Sequence, residues 1–146
     1  MPDNSVDVIL SNCVINLSGD KDRVIAEAFR VLKPGGRFAV SDVVVKRQDV
    51  PAAVRRSMEL WVGCVAGALE EDSYREKLAR AGFEAIDVEP TRIYRVADAK
   101  QFLAEAGIED DDVLAQIDGR FMSAFVRARK PAAQATQSCC ASTCCA

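Results

Sequence analysis

An α/β fold is predicted: the later half of a doubly wound sheet, about four strands with flanking helices. Three observations predict it. First, an apolar run at residues 6–10 is followed by helically spaced apolar residues, a Pro-Gly-Gly break and a Val-rich run at 37–45. Strand, helix, turn and strand in that length make a βαβ unit, whose crossover is nearly always right-handed. Second, strand-like stretches at 83–94 and 120–128 alternate with helix-like ones. Third, no glycine-rich phosphate or nucleoside loop precedes the first strand. The pattern is that of the second half of a cofactor-using enzyme.

The elements follow in order. Val6-Asp7-Val8-Ile9-Leu10 reads as a strand buried on both faces. Ser18-Gly19-Asp20 ends that unit, with Ser18 or Asp20 as N-cap of a helix bearing Val24, Ile25, Ala28, Val31 and Leu32 on one stripe. Lys33-Pro34-Gly35-Gly36 stops the helix, since proline cannot continue it and glycine permits a tight turn. The strand at 37–45 follows. A helix is expected over 51–68, then a second over 70–81 with acidic first-turn residues and Gly82 as its stop. Residues 83–94 form a strand in which Pro90 marks a bulge or an edge. Short helices at 98–106 and 113–117 lead to a stretch at 120–128 that suits a last strand, with a helix as the alternative. From Pro131 onward small polar residues predict a disordered tail. The expected divisions are thus 1–95, 96–130 and the cysteine-rich 131–146.

Composition narrows the chemistry. The chain of 146 residues has a formal net charge of −3 and no long basic stripe, so a nucleic-acid footprint is not expected. No apolar run reaches membrane-spanning length and no signal pattern opens the chain, which points to the cytoplasm. There are six cysteines and no histidine. Imidazole is excluded from every catalytic or metal-site scheme, and in a reducing compartment the cysteines are expected as thiols. Cys13 lies where the first strand runs out, at the strand edge where open α/β sheets bind ligands. Cys64 lies in a second apolar segment. By composition alone each also suits a core position, because unpaired cysteine is among the most buried residue types.

Three segments change that weighting: Ser11-Asn12-Cys13-Val14-Ile15-Asn16-Leu17, Val31-Leu32-Lys33-Pro34-Gly35-Gly36-Arg37, and Trp61-Val62-Gly63-Cys64-Val65-Ala66-Gly67-Ala68-Leu69. Together they resemble the arsenite methyltransferase family, S-adenosylmethionine enzymes with a Rossmann-like class I methyltransferase fold. The Leu-Lys-Pro-Gly-Gly piece is shared by many methyltransferases; the two cysteine segments are more specific. The resemblance runs from about Asp3 to Lys130, and Gly119 to Ala128 match the family's final strand.

The resemblance implies that Cys13 and Cys64 hold arsenite, the arsenic lone pair then attacking the cofactor's sulfonium methyl, with a thiol reductant also required. It also aligns the chain's start with the family's fourth strand. No residue matches the glycine-rich cofactor motif, so Asn12 is the one weak candidate for cofactor contact. No general acid–base residue and no resident metal are expected. Asn12 and Asn16 flank Cys13 and suit either orientation of a ligand or capping of the strand end, Asp42 is equally ambiguous, and Trp61 suits packing. Cys139, Cys140, Cys144 and Cys145 in the tail form an accessory site for arsenite or a soft metal, or simply a solvated end. Expected partners are arsenite or its thiol conjugates, and a second copy or a separate N-terminal half pairing along the first strand. Two other functions remain open: a non-catalytic thiol module for soft ions, and another small-molecule methyltransferase with structural cysteines.

Overall fold

The computed structural model describes residues 1–46, 67–97 and 118–133, together with residues 104, 112, 114 and 115. The elements are β1 (Val6–Asn12), a 3-10 turn (Ile15–Leu17), α1 (Lys21–Val31), β2 (Leu32–Val45), β3 (Leu69–Glu70), α2 (Glu71–Ala81), β4 (Glu84–Ile93) and β5 (Phe121–Arg129). The strand order is β1-β2-β5-β4, with β3 also beside β2, five strands in one mixed sheet. β1 and β3 run parallel to β2, whereas β5 is antiparallel to both β2 and β4.

β2 is the spine. β5 follows one of its edges from Arg37 to Val45. β1 pairs along the other edge as far as Ser41, and β3 takes up that edge at Val44 and Val45. The chain leaving β1 therefore turns outward in the gap between β1 and β3. β3 was not foreseen, because two residues are too few to show an alternation and the sequence there suits a helix. It brings the sheet to five strands.

The helix stop operates as its residues require, with one difference. α1 ends at Val31, but β2 begins at once at Leu32, and the register jumps between Val6 opposite Leu32 and Val8 opposite Arg37. Lys33-Pro34-Gly35-Gly36 is thus a bulge within the strand pairing. Gly35 sits at φ +79°, and a Cβ on Gly36 would meet Lys33 O at 2.8 Å, so the bulge requires glycine at both positions. Asp20 is the N-cap of α1, its carboxylate accepting from Arg23 N–H at 2.9 Å. Gly82 ends α2 in the left-handed conformation. Pro90 lies on the edge strand β4, where a register break separates it from Arg92, and residues 121–129 are a strand.

α1 and α2 share one face of the sheet. The core there joins Ile25 and Ala28 to Tyr74 and Leu78 over Phe38, Val40, Val44, Val88, Met122, Ala124 and Val126. The other face is more open, and the expectation that β1 is buried on both sides fails. Val8 is 37% and Leu10 79% exposed: among the described residues β1 ends the sheet, and the described helices α1 and α2 pack on the other face. Leu10, Phe125 and the arginines 37, 127 and 129 lie on that open side. No helix among the described residues is long and apolar enough to cross a membrane.

Most of the expected helix at 51–68, most of the helices at 98–117, and the tail from residue 134 lie outside the described residues. Trp61, Cys64, Cys139, Cys140, Cys144 and Cys145 are among them.

Candidate functional site

The site is the gap at the carboxyl ends of β1 and β2. β1 ends there at Asn12 while β2 runs on to Val45, and the carboxyl edge of parallel strands is where a crevice opens that side chains of the following turns can line. Cys13 is the first residue past β1. Its backbone is left-handed, φ +54°, a region that costs a non-glycine residue about 1–2 kcal/mol. The turn is held by Cys13 N–H donating to Ser41 O at 2.9 Å. The thiol is reduced and half-buried. Val14 at 63% and Leu17 at 66% exposure make an apolar rim around it.

Asn16 lies three residues on, within the 3-10 turn, and is 3% exposed. Its Nδ2 donates to Val43 O at 2.7 Å. A Cβ on Gly67 would overlap the Asn16 carbonyl oxygen, so the chain entering β3 packs directly on this turn. Lys21 Nζ, donating to Ser18 O at 2.9 Å, closes the same corner and would also crowd a side chain at position 67.

Behind the turn lies a buried polar cluster. Asp42 on β2 is 1% exposed, and Val43 N–H donates to its Oδ1 at 3.0 Å. Burial pushes its carboxyl up to about 6, against the opposing pull of the Val43 and Asn16 amides and of Lys21. Tyr74 on α2 is fully buried, and burial first, then the Asp42 charge, raise its hydroxyl far above the ordinary tyrosine range. Asn16 Oδ1, Asp42 Oδ2 and the Tyr74 hydroxyl have no hydrogen-bond partner among the described residues.

Of the residues anticipated from sequence, Cys13, Asn12, Asn16 and Asp42 fall in this one region. Asn12 is exposed at the end of β1, opposite Ser41. Asn16 and Asp42 are both buried. Cys64 and the tail cysteines lie outside the described residues. Tyr74 and Gly67 were not anticipated: Tyr74 reads as one more apolar-face residue of its helix, and nothing local marks Gly67 as a contact point. Among the described residues no group of three or more Cys, Asp or Glu could hold a metal ion. A groove of about 730 Å³ lies on the open sheet face near Arg37 and Arg129, toward the opposite end of β2.

Comparison with known proteins bears on this geometry. A methyltransferase-domain family matches residues 1–82. The arsenite methyltransferase of Halobacterium salinarum is 40% identical over 130 residues, which is 89% of this chain and 30% of that protein. The human arsenite methyltransferase is 48% identical over 65 residues, 44% of this chain and 17% of that protein. Among solved structures, the arsenic (III) S-adenosylmethionine methyltransferase from Chlamydomonas reinhardtii superposes with a TM-score of 0.65 at 36% identity, over 92% of this chain and 40% of that one. A methyltransferase structure from Bacillus halodurans reaches the same TM-score at 16% identity, which speaks to the fold alone. The chain thus spans about 30% of the Halobacterium relative's length.

Proposed function

This chain belongs to the methyltransferase-domain family, and we propose that it serves an S-adenosylmethionine-dependent arsenite methyltransferase, holding trivalent arsenic through Cys13 and Cys64. The observation that carries this reading is the placement of Cys13: a half-buried thiol at the carboxyl end of β1, fixed in a left-handed turn at the ligand-binding edge of the sheet. Cys64 is supported by connectivity. It lies three residues before Gly67 in the sequence. Gly67 in turn packs on Asn16, three residues from Cys13.

The chemistry suits the donors. Trivalent arsenic is soft and prefers sulfur. Each thiol replaces one arsenic-bound hydroxyl, forming an As–S bond while its proton leaves with the hydroxyl as water. Two such exchanges leave arsenic on two sulfurs with its lone pair available. The protein's contribution is position, which can supply effective molarities of ~10^5 M or more in a transfer between two held reactants.

S-adenosylmethionine is the methyl donor of this reading, and the described residues meet it only in part. The strand edge offers the exposed Asn12 amide and an apolar rim. Asp42 is buried and Asp20 is committed to capping α1, so the cofactor's charged and hydroxyl groups lack a matching donor set here. No methyl-transfer step is therefore assigned to this chain's own residues. A second reading, a thiol module that sequesters arsenite without methylating it, rests on the same placement of Cys13. Arsenite or its thiol conjugates, a thiol reductant, a cytoplasmic setting, and a second copy or a separate N-terminal half pairing along β1 complete the proposal. In it, residues 1–95 and 96–130 build the domain and the cysteines of 131–146 are accessory.

Calorimetry with arsenite on the chain lacking residues 131–146 tests the reading. Binding is expected to persist without the tail and to vanish in Cys13→Ser. Binding unaffected by Cys13→Ser would show the cysteine to be mere packing.

A further inference from the structure

The turn carrying Cys13 is fastened to β2 at the two carbonyls on either side of Asp42. Cys13 N–H donates to Ser41 O at 2.9 Å, and the Asn16 side chain donates to Val43 O at 2.7 Å. The first bond holds the backbone of the thiol residue itself. The second comes from a side chain that is 3% exposed and ties this turn directly to β2. Cys13 stands at φ +54°, and a strained backbone of this kind persists only where its surroundings over-determine it.

Asn16 has a second face. Its Oδ1, Asp42 Oδ2 and the Tyr74 hydroxyl are all buried without a partner among the described residues. Asn16 bonds the carbonyl of the residue that follows Asp42, and Tyr74 on α2 is near enough to feel the Asp42 charge. Buried acceptors and hydroxyls of this kind are commonly met by ordered water, and native proteins rarely leave such groups unpaired.

We infer that Asn16 is a positioning residue for the Cys13 thiol, tied to Val43 O on one side and, on the other, to a buried water shared with Asp42 and Tyr74. The thiol is thereby presented to a thiophilic ligand in a single conformation. The identity of that ligand rests on the arsenite reading; the fastening does not.

The test uses two versions of the chain. In one, Cys64, Cys139, Cys140, Cys144 and Cys145 are replaced by serine, and alkylation of Cys13 by iodoacetamide is timed. In the other, the tail is removed, Cys13 and Cys64 are kept, and arsenite is titrated by calorimetry. Asn16→Ala is expected to speed alkylation about fivefold and to weaken arsenite binding by a similar factor, the worth of one buried hydrogen bond. Val88→Ala, a core change distant from the turn, is expected to lower stability without altering the alkylation rate. An Asn16→Ala rate within about twofold of its parent, or a Val88→Ala rate as fast as that of Asn16→Ala, overturns the inference.

Should Asn16→Ala fail to fold, Tyr74→Phe decides. A shared water predicts faster alkylation and a lower melting temperature, because removing the hydroxyl leaves that water a partner short. Unchanged alkylation with a raised melting temperature overturns the inference. If the parent takes up no arsenite while Asn16→Ala still speeds alkylation, the arsenite reading fails and the positioning role stands.

Discussion

Asp42 is held in its protonatable range by burial, and this has a consequence for stability. Its carboxyl titrates near 6 when folded, against an ordinary value of 3.8. Between those values the folded form binds more protons than the unfolded chain, so stability falls as pH rises. The penalty, about 3 kcal/mol, is absent below about pH 4 and fully present above about pH 6. Asp42→Asn is expected to flatten this fall, measured by denaturant unfolding at several values between pH 4 and 7; equal slopes for both proteins would contradict it. Gly67→Ala is a second residue-level prediction. The added methyl overlaps the Asn16 carbonyl oxygen, which is backbone and has little room to retreat, so a loss of about 1–3 kcal/mol is expected in the same assay. Undiminished stability would show that the turn can move away. Cys13 was legible from sequence because a thiol ending an apolar strand is conspicuous. Tyr74 was not, since its hydroxyl looks like any other until the β2 carboxylate beneath it is known.

The elements were mostly legible where the signals are local. Asp20 as a cap, Pro34 as a helix stop and Gly82 as a left-handed terminator act through their own backbone chemistry, and each does so here. What local signals do not carry is pairing. The Pro-Gly-Gly stretch reads as a turn before a strand, yet β1 pairs across it on both sides, making it a bulge. β3 exists because β2 outruns β1 and offers an open edge at Val44 and Val45. Long-range ties were equally hidden. Lys130, just past β5, sends its ammonium to Phe29 O at 2.7 Å, Leu32 O at 2.8 Å and Asn4 Oδ1 at 2.8 Å, over the Phe29 ring at 4.6 Å. It neutralises carbonyls that α1 leaves unpaired at its carboxyl end. Lys130→Ala should cost about 1.5–3 kcal/mol, read by thermal or denaturant unfolding. A cost no larger than that of an ordinary surface lysine would show these bonds to be exchanged for water without loss.

For the molecule as a whole, the sheet has two unlike faces and two unlike ends. One face is closed by α1 and α2; the other shows Leu10, Phe125 and the arginine pair 37 and 129, which sit directly opposite each other in register. At the β1 end the described residues provide no further strand, so an edge with an exposed leucine is open to another chain. Sedimentation at micromolar concentration is expected to show self-association that Leu10→Lys reduces, whereas a monodisperse parent monomer would contradict pairing through β1. The identity to the Halobacterium arsenite methyltransferase extends across 89% of this chain but only 30% of that protein. Arsenic X-ray absorption on the arsenite-loaded chain without residues 131–146 asks most directly whether that edge binds arsenic. Two protein sulfurs bound to arsenic are predicted, with loss of sulfur coordination in Cys13→Ser. Arsenic surrounded by oxygen alone, or sulfur coordination unchanged in Cys13→Ser, would contradict it.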